Sequence, residues 1–197
     1  MWFLTQEGVD RYDGKYIKHY NFSDDSIKLD SRIALNWLYM DSGNILWVIG
    51  QKGRIFRYDS QHDKFKLAYI HPELIRNKPQ AFLNYGYLDK NDRIWLCYKD
   101  SITWYDIRTG TTLHMPTPVN GEITAIEQTD SNHFFIGTGN GLFHAGIEKG
   151  KLNIMPDKMV EGIGTSVHEL YYHAVSKQLF VGNYKEGILI YLSLIHI

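Results

Sequence analysis

The sequence predicts an all-β chain built as a repeat, and three observations predict it. The first is composition: of 197 residues, 14% are aromatic, with five Trp and fourteen Tyr, and seventeen Gly and five Pro accompany them. That mixture favours many short strands joined by turns. The second is an aromatic anchor within a short apolar run, which returns as Trp2, Trp47, Trp95, Phe135 and Phe180, at separations of 45, 48, 40 and 45 residues. The third is a second apolar segment that recurs upstream of the anchor and, in three copies, ends in Asp. A period in the forties with strand-like content is a propeller period. Residues 1–191 are therefore expected to form an incomplete arc of a β-propeller, about four blades of four-stranded antiparallel sheet.

Each strand of the unit has its own reason. Strand a is the upstream segment, as in Ile33 to Asp41, Ala81 to Asp89, Glu122 to Asp130 and Ser166 to Ala174. Ser42-Gly43-Asn44, Lys90-Asn91-Asp92 and Ser131-Asn132-His133 fill the following turn, with residues that tolerate left-handed backbone or bond to their own main chain. Strand b carries the anchor, as in Leu46-Trp47-Val48-Ile49-Gly50. Strand c follows a short turn, as in Arg54-Ile55-Phe56-Arg57-Tyr58-Asp59, and strand d follows as Lys64-Phe65-Lys66-Leu67. In the clearest copy the strands span about 33–41, 45–50, 54–58 and 64–69. One blade cannot hide both faces of its sheet, so blades must stack. An anchor in strand b is placed to wedge between neighbours, where an aromatic ring buries ~150–250 Å². A sugar-stacking role is the alternative for these rings, and unrelated hairpins of a β-sandwich the alternative for the fold. The near-constant spacing favours the wedge and the propeller.

Composition also bounds function. Lys plus Arg number 21 and Asp plus Glu 22, a formal charge of −1. Nothing in that balance calls for nucleic acid or an anionic membrane as a partner of this segment. No apolar run approaches the ~18 residues of a membrane helix, and no secretory signal is read at Met1-Trp2-Phe3. The single cysteine, Cys97, excludes an internal disulfide and a multi-cysteine zinc site, and its apolar strand context predicts an inert core thiol. His168-Glu169 with His173 is one residue off the spacing of a zinc-binding helix, and the stretch fits strand a better. Gly137-Thr138-Gly139-Asn140-Gly141 lacks the lysine and the helix of a phosphate loop and reads as a turn. Asp89-Lys90-Asn91-Asp92 is short of the six or more oxygens that calcium takes. Asn21-Phe22-Ser23 is a glycosylation sequon. No catalytic residue, metal site or cofactor is expected.

The repeat resembles the two-component regulator propeller repeat. Its pattern is an inner strand ending in Asp, a Gly-containing turn, Leu-Trp-Ile-Gly-Thr, a short gap, then Gly-Leu and Arg-Tyr-Asp. The run from Trp2-Phe3-Leu4-Thr5 to Gly8-Val9-Asp10-Arg11-Tyr12-Asp13-Gly14 is a close copy. Asp41-Ser42-Gly43-Asn44-Ile45-Leu46-Trp47 and Phe135-Ile136-Gly137-Thr138-Gly139-Asn140-Gly141-Leu142 also match. The departures are Ser101 in place of Gly, Phe135 and Phe180 in place of Trp, and a last unit without the Asp. The resemblance implies the periplasmic sensor region of a bacterial hybrid two-component histidine kinase. It also implies detection of glycan-derived oligosaccharides, phosphorelay output, and the remainder of the propeller and a homodimer partner in the full-length sensor. It supplies no fixed ligand motif.

In this register the b–c turns and d–a loops share one face. A ligand is expected there, at Gln51, Lys52, Lys99, Asp100, Thr138, Asn140, Asn183 and Tyr184, and in the loops 70–80, 116–121 and 156–164, since varied loops on a rigid scaffold carry recognition. Residues 192–197, Leu-Ser-Leu-Ile-His-Ile, equal a translation of the mosaic end of a sequencing transposon and are set aside as non-native read-through. Two other functions stay open: a streptogramin-lyase-like propeller enzyme, suggested by His168-Glu169, and a protein-docking propeller without a small ligand.

Overall fold

The computed structural model describes residues 1–5, 8–22, 35–72, 82–119, 121–159 and 166–192. They form five antiparallel sheets, each running through the chain in strand order. Blade 1 holds β1 (Trp2–Leu4), β2 (Val9–Tyr12) and β3 (Ile17–Tyr20). Blade 2 holds β4 (Leu35–Met40), β5 (Leu46–Gly50), β6 (Arg54–Asp59) and β7 (Lys64–Tyr69). Blade 3 holds β8 (Tyr85–Leu88), β9 (Arg93–Cys97), β10 (Ser101–Asp106) and β11 (Thr112–Pro116). Blade 4 holds β12 (Ile123–Gln128), β13 (His133–Thr138), β14 (Gly141–Glu148) and β15 (Lys151–Met159). Blade 5 holds β16 (Val167–His173), β17 (Gln178–Asn183) and β18 (Gly187–Leu192). Three blades thus have four strands and the first and last have three, the arc expected from the repeats. Leu192 ends β18, and 193–197 lie outside the described residues, as do Ser23 of the sequon and most of the d–a loops.

The core lies between blades. Four apolar clusters each join two consecutive blades, and strand b contributes buried residues to each. In β5 every residue from Leu46 to Gly50 is buried. Trp47, Trp95 and Phe135 are buried at 3%, 0% and 3% exposure, whereas Trp2 and Phe180, in the first and last blades, are half-buried. The anchor rings are thus most deeply buried in the blades that have neighbours on both sides. Strands β4, β8, β12 and β16 lie side by side along the inner edge.

Two polar devices accompany the wedges. The Asp that ends strand a is bonded to the anchor: the Trp47 indole donates to Asp41 Oδ2 and the Trp95 indole to Asp89 Oδ2, both at 2.8 Å. The a–b turns then link blade to blade. Ser42 N donates to Asp92 Oδ1 at 3.0 Å, Lys90 N to Gln128 Oε1 at 2.6 Å and Asn91 Nδ2 to the Ser131 carbonyl at 2.7 Å. Gly137, from the Phe-Ile-Gly run, lets the neighbouring strand come close. A Cβ there would stand 2.5 Å from Val167 Cγ1 of blade 5.

Blade 1 docks on blade 2 through Asp63, which accepts from Arg11, Lys18, Tyr20 and Tyr58. The Lys18 ammonium and then the two phenols hold its carboxyl well below the ordinary value of 3.8. Its native-state advantage is complete above the unfolded carboxylate range, near pH 3.9, and disappears as pH falls toward the depressed native value. Acidification below about pH 4 is therefore expected to loosen blade 1 first. An acid titration followed by near-ultraviolet circular dichroism checks this, and Asp63→Asn should abolish the step.

Candidate ligand face

Strand b runs outward to the b–c turn, and strand a begins beside it, as the pairing of Leu35 with Gly50 shows. One end of every blade therefore combines the b–c turn with the start of the inner strand. Gln51 and Lys52 form a tight turn in which Lys52 takes φ +68. Lys99 and Asp100 are exposed in the turn closed by Tyr98 N donating to the Ser101 carbonyl at 2.8 Å. With Thr117, Val119, Gly121 and Glu122 they line a hollow of about 350 Å³.

The other expected residues divide by what their polar groups already do. Thr138 is buried, donates its hydroxyl to the Gly141 carbonyl at 3.2 Å and accepts from Asn140 N at 3.0 Å. Asn183 is 8% exposed and accepts from Lys185 N at 2.7 Å. These two shape their turns. Tyr184 is 85% exposed, and its ring centroid lies 3.9 Å from that of His168. All eight expected positions share the b–c end, but they come from four blades and do not converge on one point.

The register reveals a second set, of which the sequence reading singled out only His168. Bulges fall between Leu35 and Trp37, Ile123 and Ala125, and Val167 and Glu169. The extra residues are Asn36, Thr124 and His168, and Asn84 holds the same place before β8, its N–H donating to the Cys97 carbonyl at 2.9 Å. A bulge re-aims a side chain, and it does so with a polar residue in blades 2, 4 and 5. Asn84 Nδ2 is buried without a hydrogen-bond partner. His168 Nε2 lies 3.0 Å from Ser166 Oγ. Thr124 Oγ1 donates to the Val167 carbonyl of the next blade. The signal was the offset: these residues precede their anchors by 11, 11, 11 and 12 positions.

Below this ring the inner edge is aromatic and poorly hydrated. Burial pushes the Tyr85 hydroxyl up to about 12 and raises the Tyr39 and Tyr87 hydroxyls further. Tyr39 donates to the Gly86 carbonyl at 2.7 Å, and Tyr87 accepts from Gln128 N at 3.2 Å. Glu127 occupies the matching place in blade 4 and accepts from Tyr172 N at 3.3 Å, its carboxyl pushed up by desolvation. Cys97 is fully buried and its thiol is also pushed up, as expected of an inert thiol. No group of three or more His, Cys, Asp or Glu able to hold a metal occurs among the described residues. No helix of the described residues is long and apolar enough to cross a membrane. The amides, hydroxyls and imidazole at the b–c end are donors and acceptors suited to a hydroxyl-rich ligand.

No protein-family model matches the sequence, and no curated protein matches it. Solved structures do. The extracellular domain assigned to the hybrid two-component system BT4673 of B. thetaiotaomicron is similar at a TM-score of 0.68 and 15% identity, over 96% of this chain and 25% of that one. Virginiamycin B lyase from Staphylococcus aureus is similar at 0.66 and 14% identity, over 98% of this chain and 66% of that one. The β-propeller domain of Myceliophteria thermophila Cps50 (Swd1) gives 0.68 and 14%, over 96% and 63%. At these identities the likeness establishes the β-propeller fold. The chain spans about a quarter of the length of the two-component extracellular domain.

Proposed function

We propose that this arc is part of the ligand-sensing propeller of a periplasmic hybrid two-component sensor, which detects glycan-derived oligosaccharides and signals to a histidine kinase. The observation that carries the reading is a polar residue at the start of the inner strand in four consecutive blades, three of them at bulges, set at the same end as the b–c turns. That arrangement gives hydrogen-bonding groups on a rigid scaffold and suits recognition of hydroxyls. The fold likeness to an extracellular domain of a two-component system and the regulator-type repeat support the sensing role. Calorimetry of the chain against a panel of glycan fragments is expected to find at least one that binds, with affinity reduced about tenfold or more by Asn84→Ala. A panel without a single binder favours a protein-docking propeller instead.

A lyase is the second reading, favoured by the likeness to virginiamycin B lyase together with His168 and Glu169 on β16. His168 is a bulged residue against Ser166 and Tyr184, a placement available to a general base. Incubation with virginiamycin B followed by chromatography decides it. Unchanged compound supports the sensor, and ring opening that is lost in His168→Ala supports the lyase.

A further inference from the structure

The outer grooves between blades repeat as the blades do, and two of them differ by one carboxylate. In blade 1 a cross-strand row runs from Trp2 to Arg11 to Lys18. It meets Asp63 from the c–d turn of blade 2, with Arg11 Nη1 donating to Oδ1 at 3.1 Å and Lys18 Nζ to Oδ2 at 2.5 Å. In blade 2 the same row is Trp47, Arg57 and Lys66. It faces the c–d turn of blade 3, which matches that of blade 2 residue for residue. Asp59 Oδ1 accepts from Gln61 N and His62 N in one, and Asp106 Oδ1 from Arg108 N and Thr109 N in the other. That register puts Gly110 where Asp63 stands, both with left-handed backbone, at φ +70 and +47. Gly110 has no side chain, and nothing lies within 4 Å of where its Cβ would be.

The missing carboxylate leaves a receptor. Among the described residues Arg57 has no hydrogen bond or ion pair. It opens on a cleft of about 920 Å³ whose walls also carry Lys66 and Arg108, over a floor that includes Trp47 and Tyr105. That size suits a small-molecule ligand. The acids at the rim are already engaged: Asp41 by the Trp47 indole, Asp92 by Ser42 and Asp59 by Lys66. A planar guanidinium without a counter-charge favours a carboxylate, which it can bind with two parallel hydrogen bonds.

We propose that the cleft between blades 2 and 3 binds a carboxylate-bearing small ligand, its carboxylate on Arg57 between the walls that carry Lys66 and Arg108. The cleft is lined by a–b and c–d turns, at the opposite end from the glycan face, so it is a second site. Calorimetry of the chain with trigalacturonate and with citrate tests it, with neutral galactotriose as control. At least one acid is expected to bind, and added salt should weaken it. Arg57→Gln should weaken it tenfold or more. Gly110→Asp keeps every cation and supplies the internal counter-charge, so it should also displace the ligand. If neither acid binds, or if binding survives both variants, the proposal is overturned. Neutral glycans held at the b–c end bind Gly110→Asp unchanged, so the two sites fail or stand separately.

Discussion

Trp95→Ala is expected to destabilise the protein by roughly 3–5 kcal/mol, the range for truncating a large buried aromatic ring. Trp95 is fully buried. Its ring packs 4.9 Å from both Trp104 of its own blade and Phe134 of the next. Water cannot easily fill a void walled by Ile102, Ile123 and Ile136, so the loss includes the cavity as well as the transfer of the ring. In a chain of this size the thermal midpoint should fall by roughly 10 °C, measured by circular dichroism melting. The same change at Trp2 or Phe180 should cost less, because those rings are half-buried. Equal losses at all five anchors would contradict the packing described.

Asp89→Ala is expected to do comparable damage through a group that touches no solvent. The carboxylate side chain is 0% exposed. It accepts from Asn91 N and Arg93 N on one oxygen, at 2.9 and 3.0 Å, and from Arg93 Nε and the Trp95 indole on the other, at 2.7 and 2.8 Å. Alanine leaves four donors unmet and the partly buried Arg93 guanidinium without its counter-charge. Breaking a buried pair from one side costs about 3–5 kcal/mol. Asp41→Ala removes only the bonds from Ile45 N and the Trp47 indole at a less buried site, so its effect should be smaller. Urea denaturation of the two variants side by side checks the order.

The blade pattern was legible because it is written in single residues at regular distance. Strand b was expected at 45–50 and lies at Leu46–Gly50, and strand d was expected at 64–69 and lies at Lys64–Tyr69. The Asp at the end of strand a was read as turn chemistry alone. Its bond to the indole six residues on was present in the numbering of Asp41 with Trp47 and Asp89 with Trp95. It is missing from blade 4, where Thr129 stands six residues before Phe135, a phenyl ring has no N–H to donate, and Asp130 serves Asn132 N and His133 N. The candidate site was less legible. Turn membership placed Gln51, Lys99 and Tyr184 at the b–c end, but whether Thr138 or Asn183 spends its side chain on its own turn depends on local geometry. Asn36, Thr124 and the bulged placement of His168 escaped notice because a bulge exists only in the register between two strands, and Asn84 because it precedes its strand. The match of Gly110 with Asp63 is hidden for the same reason: it lies in the alignment of two turns whose sequences share little beyond their opening Asp.

Because each apolar cluster belongs to two blades at once, no blade owns a core. Stability in such an array is carried by nearest-neighbour couplings, close to a one-dimensional chain of linked units. A blade flanked on both sides is held by two couplings and a terminal one by a single coupling, so protection against amide hydrogen exchange should be greatest near β9 and fade toward β2 and β18. Cooperativity then spreads by contact from one sheet to the next, and whatever stiffens a single junction is felt most by the two blades that share it.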